Sequence, residues 1–158
     1  METLHIDRWR ITHDPQATEA AYRQIPRGAA EAEPEQEALR NLARARERLF
    51  PAQALDLMKQ LKIDPGLEGE AIYLGRIGAG RHAYRIGYFF VGGVDTGTDS
   101  FQSSGPSAIN RGFIPFGGSI SLGVTEKVRG VPEAFGGRKV SELLYEVEIP
   151  WLLESPEP

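Results

Sequence analysis

The chain has 158 residues, of which 41% are hydrophobic and 25% charged, the proportions of an ordinary globular protein. Its formal net charge of −4 disfavours a general nucleic-acid binder, because such a protein needs a basic face. The absence of cysteine excludes disulfides, thiolate zinc sites and cysteine nucleophiles. From this length we expect a single domain over residues 1–153, followed by a frayed acidic tail over residues 154–158.

No apolar run approaches the ~20 residues that a membrane span requires, and the first residues lack the pattern of a signal peptide. We therefore expect a cytoplasmic protein that contacts neither membrane nor nucleic acid. The three histidines, His5, His13 and His82, are far apart and show no metal-binding spacing. We expect neither a metal nor a cofactor.

The first half of the chain predicts one strand and three helices. The strand covers residues 3–12, and its apolar side chains change face near Asp7 and Arg8, which predicts a bulge or an edge position. Asp14 and Pro15 are typical of a helix start, and this helix is expected to end near Ile25.

A second helix is expected from the acidic run at residues 31–37 to Phe50, and a third follows Pro51. In the third helix we expect Leu55, Met58 and Leu61 to face inward. The second helix carries a cluster of arginines, which predicts either an anion site or, as we prefer, a solvated face balanced by nearby glutamates. The cluster consists of Arg40, Arg44, Arg46 and Arg48.

The second half predicts strands. Residues 70–77 and 82–92, joined by a glycine-rich turn, form the pattern of a β-hairpin. A polar loop over residues 93–112 follows, and then strands at residues 119–125 and 143–149. Because helices precede strands, we predict an α+β fold in which an N-terminal strand and helices are followed by an antiparallel sheet built on the 70–91 hairpin.

The hairpin and the polar loop carry the candidate contact residues. One face of the second hairpin strand presents His82 between tyrosines, which could line a ligand pocket, although a half-buried structural histidine is the simpler interpretation. We predict a ligand or partner surface formed by the hairpin's aromatic face and the 93–112 loop. Its residues are Arg81, His82, Tyr84, Tyr88, Asp95 and Asp99.

The string Asp95-Thr96-Gly97 provides the one catalytic motif of the sequence. It resembles the Asp-Thr-Gly turn of retroviral-type aspartic proteases, in which two subunits each supply one aspartate. The predicted helices oppose that all-β fold, and a plain polar turn is the simpler interpretation. A calcium site at Asp95, Thr98 and Asp99 is a further alternative, although the EF-hand pattern is absent.

Four strings resemble a set of small uncharacterised bacterial proteins over nearly the whole chain. They are Leu39-Arg40-Asn41-Leu42, Lys62-Ile63-Asp64-Pro65, residues 84–92 and Val147-Glu148-Ile149-Pro150-Trp151. Typical members carry Cys-x-Cys-x-x-Cys-Arg-Asn-Phe and Gly-Gly-Trp-Tyr-His-Phe-Val-Gly, a plausible zinc set. The three cysteine positions correspond to Pro34, Gln36 and Leu39, and the histidine position corresponds to Phe89. The resemblance implies that this chain has lost such a site.

The sequence therefore favours a non-enzymatic cytoplasmic binding or interaction protein, monomeric or homodimeric. Its acidic charge suggests a regulator or an inhibitor of a basic protein partner. The alternative hypothesis is a homodimeric aspartic peptidase that uses Asp95.

Overall fold

The computed structural model describes residues 1–101 and 112–158 and shows an α+β fold. Its strands are all antiparallel, as predicted. The elements in chain order are β1 (Glu2–Ile6), β2 (Trp9–His13), α1 (Pro15–Tyr22), α2 (Ala29–Ala32), α3 (Glu37–Ala45), α4 (Ala52–Leu61), β3 (Glu70–Gly78), β4 (Arg81–Thr96), β5 (Ile114–Pro115), β6 (Ser121–Thr125) and β7 (Val140–Pro150). Short 3-10 helices lie at Arg46–Arg48 and Glu133–Phe135.

The long strand β4 organises the sheet, whose order is β1-β2-β4-β7-β6-β5. One edge of β4 pairs with β7 from Arg81 to Val91. Its other edge is shared, because β3 pairs with residues 81–87 and β2 with residues 92–96. The predicted hairpin is thus confirmed as the centre of the fold.

The helix α1 fills the gap between β2 and β3 on that shared edge. The N–H of Val91 donates to Thr18 Oγ1 (2.9 Å), and Tyr22 donates its hydroxyl proton to the carbonyl of Phe89 (2.7 Å). Asp14, which caps α1 by accepting from the N–H of Ala17, donates its own N–H to the carbonyl of Val91 (2.9 Å). Side chains of α1 and the backbone of its cap residue thereby satisfy backbone groups of β4 that lie between the paired lengths of β2 and β3.

The N-terminal strand prediction is wrong in one respect. The change of face near Asp7 marks a turn and not a bulge, since Asp7 has φ 52° and residues 2–6 fold back on residues 9–13. A left-handed backbone at an aspartate is typical of a tight turn. The result is a hairpin whose second arm, β2, joins β4.

Helix lengths also differ from those predicted. The first helix ends at Tyr22, and the segment expected to continue to Phe50 divides into α2, α3 and the first 3-10 helix. In α4, Leu55 is 42% exposed, whereas the inward positions are Ala54, Leu57, Met58 and Leu61. Residues 93–96 of the predicted polar loop belong to β4, and residues 102–111 of that loop lie outside the described residues.

The two faces of the sheet differ in chemistry. One face carries buried aromatic residues, among them Tyr84, Tyr88 and Tyr145, and Phe50 packs against the last two with ring centroids 6.1 and 5.1 Å away. The opposite face carries charged residues, and there Arg85 lies 5.0 Å from the ring centre of Phe101. In the described part of the chain, no helix has the length and hydrophobicity needed to cross a membrane.

The role of α1 can be tested with Thr18→Val, which keeps the shape of the side chain but removes the acceptor of the Val91 N–H. Thr18 is fully buried, so the orphaned donor should lower the free energy of unfolding by about 1–3 kcal/mol. Chemical denaturation measures this loss. Thr3→Val, at an exposed position of β1, is the matched control, and an equal effect of both changes would contradict the assigned role.

Candidate functional site

The predicted aromatic surface of the hairpin is interior. His82, Tyr84 and Tyr88 are each 0% exposed, because their face of β4 lies under the helices. Tyr84 donates to the carbonyl of Ala38 (2.7 Å) and Tyr88 to that of Pro65 (2.8 Å). These phenols connect the sheet to the helical layer, so a partner surface formed by them is incompatible with this arrangement.

The remaining predicted site residues are more exposed but dispersed. Arg81 forms an ion pair with Glu148 on β7. Asp95 accepts a hydrogen bond from Thr12 Oγ1 (2.5 Å) and lies 3.9 Å from the guanidinium of Arg10, so it links β4 to β2. The structure does not gather these residues into one site.

Asp99 has a structural role beside β6. Its carboxylate accepts from Thr125 Oγ1 (2.9 Å) and from the backbone N–H groups of Glu126 (2.9 Å) and Phe101 (2.8 Å). These bonds hold the chain that leaves β4 against the end of β6. Among residues 1–101 and 112–158, no three histidine, aspartate or glutamate side chains group together as a metal site would require.

His82 bridges two side chains that sequence reasoning did not associate with it. Its Nδ1 lies 2.7 Å from the hydroxyl of Tyr73 on β3, and its Nε2 lies 2.6 Å from Glu157 Oε1. The indole of Trp151 lies beside the imidazole, with ring centroids 5.3 Å apart. A proton on Nε2 allows the imidazole to donate to Glu157, and Nδ1 is then placed to bond the hydroxyl of Tyr73.

Residues 151–158, which we call the strap, pack along this end of the sheet. The expectation that the acidic tail frays is wrong, because Glu157 contacts His82 and lies 3.5 Å from the guanidinium of Arg76. Within the strap, Trp151 Nε1 donates to the carbonyl of Ser155 (2.8 Å). Paired contacts of this kind order a short segment that composition alone assigns to disorder.

The buried amide of Asn41 fixes the start of the strap. Its Nδ2 donates to the carbonyl of Pro150 (3.0 Å), and its Oδ1 accepts the N–H of Leu152 (2.6 Å). Asn41 is 0% exposed, so both bonds are shielded from water. The path of the chain after β7 is therefore set by α3.

A cleft of about 830 Å³ lies where the end of α3, the turn before β6 and the end of β7 meet. Phe50, Ile120 and Ile149, each at most 8% exposed, supply its apolar floor. The full lining is Arg44, Ala45, Glu47, Arg48, Leu49, Phe50, Pro51, Gly117, Gly118, Ser119, Ile120, Glu148, Ile149, Pro150 and Leu152. This volume is within the range of small-molecule sites.

The arginines of the cluster differ in whether they form ion pairs. Arg40 pairs with Glu37 at 3.4 Å, and Arg46 pairs with Glu68 at 2.9 Å. Arg44 and Arg48, four residues apart at the rim of the cleft, have no acidic partner among the described residues. The solvated face expected for the whole cluster is therefore incomplete, and two uncompensated cations border a largely apolar floor.

Part of β7 also contributes open backbone to the cleft. The pairing of β6 with β7 stops at Ser121 and Glu146. The N–H of Gly92 on β4 donates to the carbonyl of Lys139, just before β7, so the backbone groups of odd-numbered β7 residues face β4. The N–H and C=O groups of even-numbered residues therefore face the opposite edge of β7. The N–H and C=O of Glu148 consequently face the cleft, beyond Ser121, the first residue of β6.

The opposite face of the sheet holds a buried carboxyl group, that of Glu142, which the sequence pattern did not indicate. Glu142 is 3% exposed and extends over Gly87, where an added Cβ would lie 2.0 Å from its Oε2. That oxygen has no hydrogen-bond partner among the described residues. Burial, reinforced by the negative charge of Glu70, raises the pKa of Glu142 to about 8.

The hydroxyl, imidazole and carboxylate of Tyr73, His82 and Glu157 follow the order of a hydrolytic triad. However, a phenol is a weak nucleophile near neutral pH. None of the three residues lines the cleft described above. The order of the three groups therefore does not by itself indicate hydrolysis.

Comparison with protein-family models, curated proteins and solved structures finds no match for this chain. The resemblance to small bacterial proteins with a zinc set, and the loss of that set at Pro34, Gln36, Leu39 and Phe89, stay predictions. The chemistry of the site rests on its own geometry.

The structural role of Asp95 predicts a small effect of Asp95→Asn. The amide keeps an acceptor for Thr12 and loses only an exposed ion pair, so the free energy of unfolding should fall by less than about 1 kcal/mol. Thermal denaturation measures it. Loss of a peptidase activity at acidic pH in the variant would contradict this assignment and support the protease alternative.

The raised pKa of Glu142 predicts a pH-dependent stability. Between the ordinary pKa of 4.5 and about 8, the folded protein keeps a proton that the unfolded chain releases. This contribution to stability is therefore complete below 4.5 and falls as pH rises to about 8, by at most about 1.4 kcal/mol per pH unit.

Glu142→Gln replaces the ionisable carboxyl group with a neutral amide of nearly the same shape. The difference in unfolding free energy between variant and wild type should grow in favour of the variant from pH 5 to pH 8. Urea denaturation at several pH values measures it, with Glu154→Gln in the exposed tail as the control. A difference that does not change with pH would show that Glu142 is ionised in the folded protein.

Proposed function

We propose that this protein is a non-enzymatic binding protein whose cleft between α3, the turn before β6 and β7 takes an anionic group attached to an apolar body. The observation that carries the proposal is the pair of guanidinium groups, Arg44 and Arg48, at the rim of a cleft with a buried apolar floor; neither has an acidic partner within residues 1–101 and 112–158. A carboxylate or a phosphate is the natural partner of such a pair.

The cleft has separate regions for the two parts of this ligand. Phe50, Ile120 and Ile149 offer apolar surface at the floor, and burial of a ligand's aliphatic portion there provides affinity. The arginines at the rim and the open backbone N–H of Glu148 offer donors for the anionic group. Apolar walls with a few convergent donors are typical of ligand sites.

The acidic residues of the lining do not cancel this charge. Glu148 is paired with Arg81, and Glu47 is exposed beside two arginines. With Glu148 paired, the lining retains two arginines and one glutamate, a net positive charge on a chain that is acidic as a whole. The expectation of a basic partner rested on net charge and stays a prediction for other parts of the surface.

The proposal can be tested with octanoate and octyl phosphate as anionic probes and octanol as the neutral one. We expect the anions to shift the backbone amide resonances of Gly117, Gly118 and Leu152 saturably, and octanol to bind more weakly. Replacement of both arginines, Arg44→Glu with Arg48→Glu, should weaken anion binding by about tenfold or more, because each charge-assisted bond contributes ~1.5 kcal/mol or more.

Arg129→Glu is the matched control, since Arg129 is exposed and does not line the cleft. Its affinity for octanoate should equal that of the wild type. An acidic peptide containing leucine, titrated in parallel, distinguishes a protein partner from a small molecule as the source of the anionic group. If none of these probes shifts cleft resonances, or if the double variant binds octanoate like the control, the proposal is wrong.

A further inference from the structure

We propose that the end of the sheet around His82 is a recognition site for the carboxylate of a short acidic segment, and that Glu157 of the strap occupies this site in the present structure. The inference does not depend on what the cleft binds, because neither His82 nor Glu157 lines it. It rests on how the strap is held.

The receptor side of this site belongs to the sheet. His82 is 0% exposed, and its Nδ1 lies 2.7 Å from the hydroxyl of Tyr73, which fixes the ring so that Nε2 points toward the strap. A proton on Nε2 is the assignment that allows a hydrogen bond to the carboxylate of Glu157. Arg76 on β3 adds a positive charge 3.5 Å from Glu157 Oε2. The sheet therefore presents one oriented N–H donor and one cation, a pairing suited to the two oxygens of a carboxylate.

The ligand side consists of a single short segment. Glu157 places Oε1 2.6 Å from His82 Nε2 and Oε2 near Arg76, and its side chain remains 25% exposed. Prolines at positions 156 and 158 flank it and restrict its backbone to extended conformations, which lowers the entropy lost on docking. A partially exposed carboxylate on an extended segment is exchangeable in a way that a core residue is not.

The aromatic surroundings define the rest of the site. The rings of Tyr73 and Trp151 lie 5.7 and 5.3 Å from the imidazole, which they shield from water. Exclusion of water strengthens the bond between the imidazole and a carboxylate. The occupant that fits is a short acidic peptide segment in which proline precedes glutamate, like residues 154–158.

The strap has the advantage of being in the same chain. Tethering gives Glu157 an effective concentration on the order of millimolar, so a segment supplied in trans must compete with it. The wild-type protein should therefore show no binding of a free peptide that binds the site once Glu157 has been replaced.

The test uses the full chain carrying Glu157→Ala and a synthetic peptide of residues 152–158. The ring resonances of His82, followed by NMR, should move on substitution and return toward their wild-type positions as the peptide is added. A peptide with glutamine at position 157 should bind at least tenfold more weakly. The wild-type chain should show no shift with either peptide at equal concentration.

Two further variants keep the outcome decisive. Glu154→Ala removes an exposed carboxylate of the same strap and should leave the His82 resonances unchanged. Glu157→Gln in the full chain retains the side-chain shape and repeats the experiment should Glu157→Ala perturb the fold. If neither variant binds the peptide, or if both peptides bind equally, the site does not recognise a carboxylate and the proposal is overturned.

Discussion

The strand β4 must satisfy hydrogen bonds along 16 residues on two edges, and this requirement organises the whole protein. On one edge β7 follows it closely. On the other edge no single strand is long enough, so β3 and β2 divide the length between them. The short helix α1 lies against the gap that remains between them. It supplies the acceptor for Val91 and the donor for Phe89 where a strand would otherwise be needed.

The same arrangement separates the chemistry of the two faces. Beneath the helices, each large tyrosine uses its hydroxyl to bond a helix or loop carbonyl, so the aromatic layer is both apolar and fully hydrogen-bonded. On the opposite face, Arg85 bonds Glu146 at 3.0 Å, and Glu142 is buried without a partner for Oε2 among the described residues. The two proposed sites lie at the margins of the sheet. The cleft is at the end of β7, and the site around His82 is near the turn between β3 and β4.

The sequence predicted the hairpin because its pattern is local: alternating aromatics and a glycine turn lie within about twenty residues. It did not predict that β4 continues to Thr96, because Gly92 and Gly93 are typical of a loop. The structure shows why glycine is needed there, since a Cβ at Gly92 would lie 2.5 Å from the carbonyl oxygen of Thr12. The glycines that resembled a break in the strand are the residues with which Thr12 and His13 of β2 pair.

The candidate sites were less predictable because their residues are far apart in the sequence. The pairing of His82 with Glu157 joins residues 75 positions apart, and neither residue carries a local signal of the other. The aromatic face around His82 was recognised, yet periodicity shows only that side chains share a face and not whether helices cover that face. Arg44 and Arg48 were recognised as a cluster with Arg40 and Arg46, but only the folded chain shows which guanidinium groups find carboxylates.

Asn41 connects the two proposed sites physically. Its amide bonds Pro150, which lines the cleft, and Leu152, which lines the cleft and belongs to the strap. Any ligand that displaces Leu152 must therefore weaken a buried hydrogen bond that also positions Trp151 beside His82. A cleft ligand that displaces Leu152 and a peptide that replaces the strap would then act on the same hydrogen bond. Linkage requires each to change the affinity of the other by the same factor. The buried amide, rather than any exposed residue, is where such coupling would originate.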